Sequence, residues 1–66
     1  MQISLKAARV NANLTQRETA KKMNIDRATL INWENGKTFP NAPQLIRLCE
    51  IYGIGIDDIF LKVKST

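Results

Sequence analysis

Sixty-six residues, ten of them basic and six acidic, carry a formal charge of +4; a chain this short encloses one modest core, and the basic balance favours a polyanionic partner without identifying one. A single cysteine cannot form an internal disulfide, and the lack of histidine removes the zinc-finger option. No apolar run reaches the roughly eighteen residues of a membrane span and residues 1–12 lack the unbroken apolar stretch of a secretion signal, so a single cytoplasmic domain over 1–66 is expected, with no cofactor, metal or small-molecule ligand evident.

Residues 3–12 read as a first helix, with Ser4 as a cap and Ile3, Leu5, Ala8 and Ala12 facing inward. Asn13 suits a left-handed stop, after which Leu14 folds back. Thr15 followed three residues later by Glu18 is a capping box, opening a second helix with Ala20 and Met23 on one face. Arg17, Lys21 and Lys22 line this helix and are either backbone contacts or solvated charges. Asn24 sits where the chain must turn, because asparagine tolerates the left-handed region. Ile25 is apolar, and Asp26 is a second N-cap candidate whose charge suits the helix dipole.

A third helix follows, to Asn35, with Leu30 and Trp33 turned inward and Gly36 closing it. Arg27, Ala28, Ile31 and Asn32 fall on a face the core does not need. These residue types match major-groove reading: Arg pairs with a guanine edge, Asn with an adenine edge, and Ala or Ile touches a thymine methyl. Lys37 and Thr38, with nearby amides, are placed to meet phosphate beside the groove, where contacts orient the protein without reading sequence. Phe39 is expected as a core lid over the turn.

Asn41 caps a fourth helix, Pro43 is tolerated in its first turn, and Leu45, Ile46, Leu48, Cys49 and Tyr52 form its apolar stripe. Cys49 therefore reads as core, where a free cysteine behaves as a small hydrophobe. Gly53 ends this helix. Gly55 opens a last one, Ile56 to about Leu61, with Asp57 and Asp58 in its first turn. Adjacent helix positions do not face one another, so the two carboxylates do not make an acid–base pair, and nothing suggests an enzyme. The tail 61–66 alternates apolar and basic residues, which fits either a frayed end or a short strand at a dimer contact.

Residues 5–61 resemble the Cro/C1-type, or XRE, helix-turn-helix family of phage and bacterial regulators. The matching pieces are LTQRETAKKM, the turn NIDR, TLINWENGKTFP and the tail LCEIYGIGIDDIF. The resemblance implies an all-α, five-helix, lambda-repressor-like DNA-binding domain, with the helix-turn-helix over about 15–36. It further implies a partly buried ion pair between Arg9 and Glu34 and a contact from the Gln16 amide to a phosphate. There are departures: Asn13 and Asn24 stand where the family has glycine, Ala8 and Thr19 where it has leucine, and Gly55 where it often has serine or threonine.

The function expected is sequence-specific binding of double-stranded DNA as a transcriptional regulator, read as a repressor. Arg27, Ala28, Ile31 and Asn32 would read bases, while Gln16, Asn35, Lys37 and Thr38 would meet phosphates. Family membership and the few contacts of one small module imply a homodimer, at least on DNA, with half-sites about 34 Å apart on a palindrome; the patch around Phe60 is the candidate for pairing. An antitoxin-type module stays open. So does a protein-binding adapter, favoured by the apolar Ile31 on the outer face of the third helix.

Overall fold

The computed structural model describes residues 2–61. In chain order these form β1 (Ile3–Ser4), α1 (Leu5–Asn11), α2 (Gln16–Met23), α3 (Arg27–Asn35), α4 (Ala42–Tyr52), a 3-10 turn (Ile56–Asp58) and β2 (Ile59–Phe60). Among the described residues no helix is long and apolar enough to cross a membrane.

Helix starts are set by short polar side chains that satisfy otherwise unpaired amides. Ser4 Oγ accepts from the Ala7 amide at 3.1 Å. Thr15 and Glu18 exchange both bonds of a capping box, at 3.0 and 2.9 Å. Asn41 and Gln44 do the same at α4, both at 2.9 Å. Asp26 departs from expectation: it occupies the N-cap of α3 with extended backbone, but its carboxylate makes no capping bond.

One device ends all four helices. Asn13, Asn24, Gly36 and Gly53 each take positive φ. The amide of the next residue then reaches back five positions: Leu14 to Arg9, Ile25 to Ala20, Lys37 to Asn32 and Ile54 to Cys49, at 2.9–3.2 Å. This closure satisfies end carbonyls and folds an apolar residue onto the helix at three of the four sites. Asn13 and Asn24 thus do the work of glycine in this chain.

The chain ends differ from the five-helix, all-α expectation. Ile3 is not helical, because Ser4 is the cap of α1 and the residue before a cap is extended. The expected last helix is only one 3-10 turn, with the Asp58 amide on the Gly55 carbonyl at 3.0 Å. Ile59 then adopts φ −100°, ψ 138° and pairs in parallel with Ile3, while Phe60 pairs with Ser4. The physical reason lies in Ile59. Extended, this β-branched residue both joins the ladder and drops its side chain into the core at 7% exposure. The expectations for residues 62–66, helix end or dimer strand, lie outside the described residues.

The core joins Leu5, Ala8, Leu30, Trp33, Leu48, Cys49, Tyr52 and Ile59, with Leu30 and Leu48 fully buried. Ala8 lies within it despite its size. Phe39 does not act as a lid, being 46% exposed; the rigid ring of Pro40, next in the chain, is buried instead. Ile46, expected in the inward stripe of α4, is also exposed, as are Ile56 and Phe60.

Candidate nucleic-acid interface

The outward side of α3 is bare because its inward side is anchored. Leu30 and Trp33 bury one face, while Arg27, Ala28 and Asn35 are exposed and Ile31 and Asn32 half-buried. Arg27 is the first residue of the helix and Asn35 the last. The structure therefore brings Arg27, Ala28, Ile31 and Asn32 onto one short helix, with its N-terminal end most open to solvent.

Behind α3 lies a polar brace. Arg9 Nε donates to Glu34 Oε2 at 2.7 Å and Nη2 to Oε1 at 3.4 Å, while Nη1 donates to the Leu14 carbonyl at 2.9 Å. Gln16 Nε2 donates to Glu34 Oε1 at 3.1 Å. The Glu34 side chain is 2% exposed and that of Arg9 11%, so α1, α2 and α3 meet at one buried carboxylate. A carboxylate only accepts, so it fixes the orientation of the Gln16 amide, whose second N–H stays available. Gln16 is thus half-buried and tethered rather than a free surface side chain.

On the far side of α3 the chain bends at Gly36. The amides of Lys37 and Thr38 turn inward to the Asn32 carbonyl, at 2.9 and 3.4 Å. The Lys37 and Thr38 amides are therefore engaged within the chain, while the two side chains are exposed. At the opposite end, Thr15, Gln16, Arg17 and Arg27 line an open cleft of about 330 Å³ between the starts of α2 and α3.

Sequence reasoning missed two buried hydroxyls that the fold brings side by side. Thr19, fully buried on α2, and Tyr52 on α4 hold hydroxyl oxygens with no hydrogen-bond partner. Burial pushes the Tyr52 phenol up to about 12, opposed by the Thr19 hydroxyl beside it. The threonine standing where the family has leucine was the available signal. Burial likewise pushes the Cys49 thiol up, consistent with a core residue and not a nucleophile.

Two short helices meeting at a left-handed turn, the second buried on one side and bare on the other, define a helix-turn-helix domain. The chain belongs to the Cro/C1-type (XRE) helix-turn-helix family: the sequence profile described as a helix-turn-helix domain matches residues 3–65. It is similar to an uncharacterized HTH-type transcriptional regulator of Methanocaldococcus jannaschii, 38% identical over 61 residues that cover 92% of each chain. It is also similar to the HTH-type transcriptional regulator ImmR of Bacillus subtilis, 38% identical over 80% of this chain and 42% of that one. The HTH-type transcriptional activator BcrR of Enterococcus faecalis is 31% identical over 83% of this chain and 27% of its own length. No solved structure matches the chain at a significant level.

Proposed function

We propose that this chain binds duplex DNA in a sequence-specific way to regulate transcription, with α3 lying in the major groove. The observation that carries the reading is the geometry of α3: Arg27 and Ala28 stand exposed over an anchored inner face, Asn32 shares the helix, and Lys37 and Thr38 flank its end. Arg27 and Asn32 read base edges, with Ala28 and Ile31 in apolar contact. Gln16, through its remaining N–H, and the side chains of Asn35, Lys37 and Thr38 meet phosphates. The relatives' printed names as transcriptional regulators support the same reading.

The protein acts as a homodimer on a palindromic operator, since one small module makes few contacts and a second copy adds its own. Regulation is read as repression, because occupying an operator needs only binding. A relative named as an activator makes reporter output the deciding assay on that point. The half-buried Ile31 leaves a protein-binding adapter less apolar surface than the sequence suggested. Selection of random duplexes at physiological salt tests the proposal. An enriched palindrome is expected; salt-sensitive binding with no enriched motif would overturn it.

A further inference from the structure

We propose that the cleft between the starts of α2 and α3 seats one phosphodiester group of the DNA, held by the Arg17 guanidinium, so that Arg27 beside it remains free to read a base. The inference rests on the duplex-DNA reading above and adds a residue to it. Of the four side chains lining the cleft, two are arginines and none is acidic. Among the described residues neither arginine has an ion-pair partner, the salt bridge found being that of Arg9 and Glu34. A concavity that carries unpaired positive charge and no acid favours an anion, and Arg17, on α2, is the guanidinium that takes it.

The helix end itself does not bind that anion. The Thr15 amide donates to Glu18 Oε1 at 2.9 Å and the Glu18 amide to Thr15 Oγ1 at 3.0 Å, so the capping box already occupies these donors. The side chains must take the phosphate, and a planar guanidinium with a fixed fork of donors does so in bidentate fashion. Gln16 adds its second N–H from a position fixed by Glu34. Of the acids next to the two arginines in the chain, Glu18 turns its carboxylate to Thr15 with Lys22 one turn on offsetting its charge, and Asp26 does not line the cleft. A phosphate held from α2 sets how far α3 stands from the backbone, and this places Arg27 at the groove edge.

The experiment measures the salt dependence of duplex binding for the full chain and four variants, on a selected duplex and on random duplex. Arg17→Ala is expected to make the slope of log affinity against log salt shallower by about 0.9, the contribution of one phosphate contact. The change appears on both duplexes and leaves base preference intact. Arg17→Lys keeps the slope, and so does Lys22→Ala, which lies off the cleft. Thermal melting of Arg17→Ala matches wild type, since the side chain is exposed; Arg17→Gln, which keeps more of the stem, gives the same slope change.

An unchanged slope in Arg17→Ala overturns the inference while leaving the DNA-binding function standing. An equal change in Lys22→Ala also overturns it, because the effect is then diffuse charge. Altered base preference in Arg17→Ala overturns it in favour of base reading from α2. Wild-type protein that binds no duplex overturns the functional reading and this inference together.

Discussion

Arg9→Met tests whether the buried brace holds the fold. The substitution removes a guanidinium bonded twice to Glu34 and once to the Leu14 carbonyl, at 2.7, 3.4 and 2.9 Å. Glu34, with 2% of its side chain exposed, keeps only the Gln16 amide at 3.1 Å. The cost is that of a charge left buried without its partner, about 3 kcal/mol, rather than the attraction of the pair itself. A domain of this length has about 3–10 kcal/mol of stability in total, so the variant loses about 30% of it or more. At about 4–8 °C per kcal/mol for small domains, Tm falls by about 12–24 °C. Circular dichroism melts and urea titrations measure this directly. Arg9→Met/Glu34→Leu removes the stranded charge and is expected to recover most of the loss. Wild-type melting of Arg9→Met would refute the reasoning. A double variant no better than the single one would show that packing, and not an unpaired carboxylate, sets the cost.

Three further predictions separate reading, positioning and burial. Arg27→Ala should relax preference at one base pair and cost about 1–3 kcal/mol on the selected duplex; equal weakening on random duplex would remove its base-reading role. Lys37→Ala should weaken all sequences alike and reduce the salt slope by about one, read from the same titrations. For Tyr52, the folded pKa of about 12 lies above the ordinary phenol value of 10.0, so the unfolded chain releases the proton first. The stabilisation is complete below about pH 10 and is lost as pH rises through about 12, amounting to roughly 2–3 kcal/mol. Tyr52 is the single tyrosine, so phenolate absorbance reports it alone, and Tyr52→Phe should flatten the alkaline fall in stability.

Local signals carried most of what the sequence made legible. The Thr15–Glu18 box, the turn at Asn24 and the stop at Gly36 each depend on residues within a few positions, and each lies where residue chemistry places it. The apolar spacing of Leu30 and Trp33 likewise gave the inward face of α3, and hence its outward one. What was illegible depends on distant partners. Ile59 has helical spacing with Ile56, but Ile3, from the other end of the described chain, draws it into a ladder. Phe39 is exposed while Pro40, next to it, is buried, a choice between neighbours that residue type does not announce. The Lys37 and Thr38 amides pair with a carbonyl within α3, a closure that side-chain types do not announce. Thr19 and Tyr52 meet only once α2 and α4 are packed.

The brace also sets the roll of α3, which the apolar core alone cannot fix. Burial of Leu30 and Trp33 is favourable but non-directional, and a helix turns about 100° per residue, so a modest roll would turn Arg27 and Asn32 together away from the outward side. Hydrogen bonds are directional, and Glu34 accepts them from α1 through Arg9 and from α2 through Gln16. Glu34 follows Trp33 directly, so the apolar and polar anchors act at the same turn of α3. Stability and base reading are therefore separable at this point. In Arg9→Met/Glu34→Leu the stranded charge is gone and the fold recovers, but both directional restraints on α3 are gone as well. That variant is expected to melt near wild type and yet discriminate its selected duplex from random duplex less well. Undiminished discrimination would mean that packing alone holds α3 in register.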